Sequence, residues 1–440
     1  MLSGLPLLFA IAIAVVFLIF SSSRLKWHPF FGLLIAAAGL GLAIGLDLPA
    51  VVGLLKEGFG GLIGAVGLLI VLGSIIGVSL ERSGAARRIA DLLIGNGSHP
   101  GLRLVVLGAV ISIPVFCDSG FIILAGLLPA LALRAGGKIA PLALSLAGGL
   151  YLTHTLIPPT PGPLAAAANL GAEEFVGTIM LLGAVVALPV VFVTWKAAGW
   201  LGSRITAILP TPVSEEDAAA LPSLTKSLLP LLIPIFLIAL GSVLKLATDG
   251  DGAETYILWL CDPTVALTLG CIPALLLPAS GTKAAWIGDG LALAGPILII
   301  TGLGGAFGAI LKASTLADDV ALWAGDAALS PTALLCLGWA VAALMKTAQG
   351  SSTGALVIAS GIIAPLLPLA GFESGTELAL MTLAIGGGAM TISHANDSYF
   401  WVVTRFSGIE VADAYRSYTP LTAIMGLTVL VSVVVLSWLF

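Results

Sequence analysis

Four short segments hold most of the polar chemistry that the sequence places inside apolar surroundings. "PVFCDSGF" (Pro114–Phe121) sets Asp118 within a hydrophobic stretch, followed by Ser119 and Gly120. "LTHTLIPPTPGPLAAAANLGA" (Leu152–Ala172) holds His154 between Thr153 and Thr155, then Pro158, Pro159, Pro161 and Pro163. Prolines lack an amide hydrogen, so a regular helix cannot run through that cluster. "MKTAQGSSTGA" (Met345–Ala355) places Lys346 and Gln349 before Gly350, Ser351, Ser352 and Thr353, and an apolar run follows. "TISHANDSYFW" (Thr391–Trp401) gathers Ser393, His394, Asn396 and Asp397.

The residue types suggest anion binding with proton movement. A helix opening at Ser351–Thr353 presents unpaired amides and a positive dipole end, which attract anionic groups. The three hydroxyls there can bond a polyol, and Lys346 would offset an anion's charge. Ser119, Gly120, Thr153, His154, Thr155, Gln349, Gly350, Ser393 and Asn396 complete the candidate substrate-binding set. Asp118, His154, His394 and Asp397 are the titratable candidates for proton coupling, since ionisable groups at membrane depth are costly and mark function. Each also has a structural reading. Asp118 could cap a half-helix, His154 could bond a neighbouring helix, and Lys346 could snorkel above an N-cap serine. Asn396 and Asp397 could cap "SYFWVVTRF". No CxxC, HExxH or P-loop occurs, so neither a metal nor another cofactor is expected, nor ATP-driven pumping. "GLGGAFG" (Gly302–Gly308) narrowly misses a nucleotide fingerprint and reads as close helix packing through Gly304 and Gly308. Asp289 in Gly288-Asp289-Gly290, taken with Asp118, loosely resembles an intramembrane aspartyl protease, a distant alternative.

The elements that must position these groups are membrane helices. The chain is 59% hydrophobic and 9% charged, with a mean hydropathy of +1.13, where a soluble domain carries about 25% charge. Apolar runs such as Gly61–Leu80, Phe175–Val193, Leu228–Leu246 and Leu421–Phe440 match the roughly 20 residues that cross a bilayer as a helix. The reading is an all-α polytopic protein of the cell (inner) membrane, with no room for a soluble domain. The first run, Leu7–Phe20, lacks a preceding basic stretch and is followed by a second, so it reads as a first span rather than a signal peptide. The formal charge of −5 and scattered basic residues argue against nucleic acid as a partner. Cys117, Cys261, Cys271 and Cys336 sit in or beside apolar runs and read as buried thiols.

Basic residues stay in the cytoplasm. Arg24 and Lys26 then place the N-terminus outside, and 14 of the 18 basic residues fall in cytoplasmic loops, Lys56, Lys245, Lys312 and Lys346 being the exceptions. Arg103 and Arg134 both read as cytoplasmic. The 31 residues of Leu104–Arg134 are too few for two crossings of about 20 each, so a re-entrant hairpin is expected over about 104–134. "GSIIGVSLERSG" (Gly73–Gly84) resembles "GGAFGAILKAST" (Gly304–Thr315), and "GGLYLTHT" (Gly148–Thr155) resembles "GGAMTISHA" (Gly387–Ala395), aligning His154 with His394. The second hairpin, about 335–370, is flanked by Asp326, Glu373 and Glu377 and opens from outside. Two inverted-topology repeats follow. The first membrane half spans 1–200, with a broken helix about 139–163. A cytoplasmic polar linker covers 201–226. The second half spans 227–440, with a broken helix about 378–404. Such an arrangement signals a secondary transporter with its site at the repeat interface.

At "PVFCDSGF", "THTLIPPTPGPLAAA", "AQGSSTGAL" and "SHANDSYFW" the sequence resembles the gluconate:proton symporter (gluconate permease) family of the ion transporter superfamily. The resemblance runs over nearly the whole chain. It implies import of a small organic acid anion with a proton, gluconate or a related sugar acid first, glycerate or D-serine next. Sodium in place of the proton is the alternative coupling. It also implies an elevator movement within a homodimer. Three departures stand out: Cys117 where the family has an aromatic residue, Lys346 where it has arginine, and Tyr399 where it has glycine. Lysine lacks the planar fork that grips a carboxylate at two points, which bears on which acid is carried.

Overall fold

The computed structural model describes residues 2–23, 25, 27–86, 88–89, 99–113, 115–125, 128–134, 138–205, 207, 221–247, 254–278, 282–316, 318–319, 322, 330–394 and 397–439. These form α1 (Leu5–Ser23), α2 (Pro29–Ala43), α3 (Leu48–Arg82), α4 (Pro100–Ile111), α5 (Cys117–Ala125), α6 (Leu128–Arg134), α7 (Ala140–Leu156), α8 (Pro161–Asn169) and α9 (Val176–Gly202). After the polar linker come α10 (Leu224–Ala247), α11 (Glu254–Leu260), α12 (Pro263–Leu275), α13 (Lys283–Lys312), α14 (Pro331–Gln349), α15 (Ser352–Ile363), α16 (Gly375–Met390), α17 (Ser398–Ser407) and α18 (Val411–Ser437). Among the described residues, seven segments are long and apolar enough to cross a membrane, and five shorter apolar helices accompany them. Leu188, Phe236, Leu276 and Val431 are 71%, 65%, 77% and 62% exposed. Apolar side chains exposed on that scale need a bilayer to cover them.

Helix starts follow local chemistry. Asp47, Ser330 and Thr282 accept backbone amides of Ala50, Ala333 and Ala285. Ser374 and Glu377 form a reciprocal capping box at the start of α16. α7 and α16 are buried on nearly every face, the mark of helices enclosed by other helices. α9 and α18 pack against each other and against both.

Parts of the helix succession recur in the two halves. α9 and α18 are each 27 residues long and begin and end 235 residues apart. α7 ends at Leu156 and α8 begins at Pro161, and likewise α16 ends at Met390 and α17 begins at Ser398. α3 and α13 run antiparallel: a Cβ on Gly58 would stand 2.8 Å from Ala306 Cα, and one on Gly290 would stand 2.9 Å from Ile75 Cα. Exchanging the two helices carries one contact close to the other. The exchange extends further, because α8 packs on α15 and α17 packs on α5. The two histidines do not occupy matching places, contrary to the sequence alignment. His154 lies inside α7, whereas His394 lies in the longer interruption after α16.

The "GLGGAFG" stretch packs as expected. Gly305 lies against Gly58, Gly304 against Val357, and Gly308 against Gly361. Arg82 at the end of α3 pairs with Asp289 on α13 at 2.5 Å. Asp289 therefore serves a half-exposed ion pair, and it does not line the cavity that holds Asp118. Cys117, Cys261 and Cys271 are buried, but Cys336 is exposed, because α14 turns that face away from the core. All four are free thiols. Arg24, Lys26 and Asp326, used above to infer orientation, lie outside the described residues.

Candidate functional site: a cavity at converging helix ends

Three helix N-termini meet at one cavity of about 320 Å³. The first is that of α15. α14 ends at Gly350, whose φ of +80° is a left-handed conformation suited to glycine. The chain then reverses, and Ser351 caps α15 by accepting the Gly354 amide at 3.1 Å. The amides of Ser352 and Thr353 fall in the first turn, where helical amides have no partner within the helix. The second end is that of α5, with Phe116, Cys117 and Asp118 on the cavity wall. The third is that of α17, where Asp397, Ser398 and Tyr399 line the cavity and Asp397 Oδ1 accepts the Tyr399 amide at 3.1 Å. Tyr151 and His154, three residues apart on one face of α7, complete the polar wall. Pro296, Ile297 and Ile300 of α13 form the apolar one.

Two polar atoms on this wall have no partner among the described residues: Asp118 Oδ1 and His154 Nδ1. Asp118 Oδ2 accepts a hydrogen bond from Ser398 Oγ at 3.3 Å. The His154 ring lies 5.7 Å from that of Phe116 and is 8% exposed. Buried polar atoms are nearly always satisfied by protein or water, so these two atoms are open to a hydrogen-bonding partner in the cavity. Other polar groups on the wall are bonded to the protein itself. Tyr151 Oη and Ser352 Oγ lie 2.7 Å apart, and Tyr399 Oη donates to Ala147 O at 3.1 Å. Tyr399 thus fills with an aromatic cluster, Tyr151, Tyr418 and Phe121, the place where the family resemblance has glycine.

The candidates from sequence divide into two groups. Asp118, His154, Gly350, Ser351, Ser352, Thr353 and Asp397 line the cavity. The others do not. Thr153 donates to Ala109 O of α4 at 2.7 Å, and Thr155 to Tyr151 O of its own helix at 3.2 Å. Gly120 packs α5 on α7, where a Cβ would stand 2.7 Å from Leu150 Cδ2. Ser393 Oγ donates to Asp397 Oδ2 at 2.5 Å. His394 Nε2 is 2.8 Å from Thr347 O. The side chains of Ser119 and Gln349, and all of Asn396, lie outside the described residues. Lys346 is not a free charge facing the cavity. It is fully buried and paired with Asp397 Oδ2 at 2.6 Å, since a cation at that depth needs a counter-ion. No group of three or more potential metal ligands occurs among the described residues.

Sequence reading missed Tyr151, Phe116, Ser398 and the α13 wall. Tyr151 was recoverable from its helical spacing to His154. The α13 residues carried no signal, being apolar residues in an apolar helix.

Replacing Ser351 by alanine removes the α15 cap. The expected cost is about 1 kcal/mol of stability, read by thermal unfolding, together with weaker binding of an anionic ligand.

The comparisons with known proteins agree with this architecture. The family model "GntP family permease" matches residues 6–439. A gluconate permease of Pseudomonas aeruginosa is 32% identical over 97% of this chain and 96% of its own. The D-serine transporter DsdX of Escherichia coli K12 is 30% identical over 97% of both, and the high-affinity gluconate transporter of that strain is 28% identical over 97% and 98%. The crystal structure of the Alcanivorax borkumensis YdaH transporter, described as having an unusual topology, superposes with a TM-score of 0.64 at 18% identity, covering 93% of this chain and 97% of that one. A helical multi-pass membrane architecture, with a cavity at broken helix ends, accompanies a family match over nearly every residue: the chain belongs to the GntP family of permeases.

Proposed function

We propose that this permease imports a small hydroxycarboxylate, gluconate or a related sugar acid, together with a proton. The observation that carries the reading is the pair of orphan atoms, Asp118 Oδ1 and His154 Nδ1, on a cavity lined by three helix N-termini. The carboxylate sits at the α15 end, held by first-turn amides and the hydroxyls of Ser352 and Thr353. The hydroxyls of the acid reach Asp118 and His154. An ionised Asp118 beside a bound carboxylate would put two negative charges in one low-dielectric space. A proton on Asp118 removes that repulsion, which ties anion binding to proton uptake.

The recurring parts of the helix succession and the antiparallel α3–α13 contact support two inverted units with the cavity between them, the arrangement that alternating access uses. A second reading keeps the site and changes the substrate. Asp118 Oδ1 can accept from an ammonium as well as from a hydroxyl, so a small hydroxy-amino acid such as D-serine also fits. Thermal unfolding of the purified protein with gluconate, glycerate and D-serine separates them. Gluconate is expected to raise the melting temperature most. Stabilisation by D-serine alone would favour the second reading, and stabilisation by none of the three would defeat both.

A further inference from the structure

Among the described residues the cavity wall contains no lysine or arginine, although an ammonium lies just behind it. Lys346 Nζ donates to Gly350 O at 2.6 Å and to Asp397 Oδ2 at 2.6 Å, and its side chain is 0% exposed. Gly350 is the residue at which the chain reverses into α15. Asp397 is the N-cap of α17, accepting the Tyr399 amide through its other oxygen. It also accepts from Ser393 Oγ at 2.5 Å and from Tyr151 Oη at 3.5 Å. Tyr151 in turn meets Ser352 Oγ at 2.7 Å. One ammonium and one carboxylate thus tie the start of α15, the start of α17 and the end of α7 to each other.

We propose that Lys346 and Asp397 are a positioning pair, which neutralises itself and fixes the α15 N-terminus, and that Lys346 is not a ligand of the substrate carboxylate. The inference rests on the hydroxycarboxylate reading above. Each charge uses the other, so the pair contributes no net charge to the cavity, and the anion is met by backbone amides and hydroxyls alone. Lys346 acts by holding the Gly350 carbonyl, and hence the turn, in place. Losing the ammonium alone leaves Asp397 buried without its counter-ion, a far larger disturbance than losing both charges.

The test is a comparison of Lys346→Met with the double variant Lys346→Met/Asp397→Asn. Both are read as radiolabelled gluconate uptake into liposomes at a fixed pH gradient, with folding checked by size exclusion and thermal unfolding. The single variant is expected to lose about 100-fold or more of KM-normalised uptake, in line with a broken buried pair. The double variant is expected to fold, to keep the KM for gluconate within about threefold of wild type, and to recover most of the uptake, as is usual when both charges of a buried pair are replaced. Lys346→Arg, which keeps the charge, is expected to retain the wild-type KM. A folded double variant with KM raised as far as in the single variant would make Lys346 a direct ligand and overturn the proposal. A double variant that does not fold would overturn it too, since the proposal requires the neutral pair to be tolerated. If Lys346→Met itself fails to fold, the double variant alone decides. Failure of the functional reading looks different: the wild-type protein then binds and transports no gluconate.

Discussion

Asp118→Asn is expected to reduce proton-driven accumulation of gluconate to background while preserving the fold. Asparagine keeps the shape of the side chain and an oxygen for the Ser398 hydroxyl, now 3.3 Å from Asp118 Oδ2. Among the described residues, it removes the lining carboxylate that has no charge partner. Asp397, the other carboxylate on the cavity, is engaged by Lys346. His394 is turned to the Thr347 carbonyl. Asp118 is therefore the group whose protonation changes the net charge of the cavity without dismantling an ion pair. Exchange of internal for external gluconate, which needs no net proton movement, is expected to persist in the variant. Measuring both processes in the same liposomes checks the assignment. Accumulation at the wild-type level would move coupling to His154, the remaining group with an orphan atom on the wall.

The second large effect falls far from the polar groups. Gly305→Val is expected to destabilise the protein by about 3 kcal/mol, toward the upper end for overpacked cores. Gly305 and Gly58 meet backbone to backbone at the α3–α13 contact, and a Cβ on Gly305 would also stand 2.8 Å from Leu62 Cβ. Neither helix can give way alone, because the same two helices also meet at Gly290 and Ile75. Close approach of this kind takes the place that water-driven burial has in soluble proteins. Gly60→Ala is the control. It sits two residues from Gly58 on α3, and a Cβ there meets nothing within 4 Å. Its melting temperature is expected to match wild type, while that of Gly305→Val falls by several degrees.

The breaks in the helices were legible because they are written in local chemistry. Four prolines after Thr155 and the glycine and hydroxyl run after Gln349 cannot continue a membrane helix, and the structure interrupts helices at both places. The helix caps were equally local. Ser351 was readable as the opening of a helix, and Asp397 as a cap of the "SYFWVVTRF" segment. What stayed hidden was long-range pairing. Lys346 and Asp397 are 51 residues apart, and Tyr151 and Ser352 are 201 apart. Nothing in either segment says which partner the fold will bring. A lysine beside a helix opening reads as an anion ligand until a buried aspartate is found on its ammonium. His394 misled for a related reason: matching residue types in two Gly-rich segments aligned it with His154, but the second interruption is longer than the first and carries it past the helix end.

The central claim is that one cavity binds a hydroxycarboxylate and a proton together. It is tested most directly by reconstituting the purified protein in liposomes and following radiolabelled gluconate and internal pH at once, without sodium. An inward proton gradient is expected to drive saturable accumulation of gluconate, and a gluconate gradient alone is expected to acidify the lumen. Accumulation that ignores the proton gradient and requires sodium, or uptake with no accompanying change in internal pH, would contradict the account.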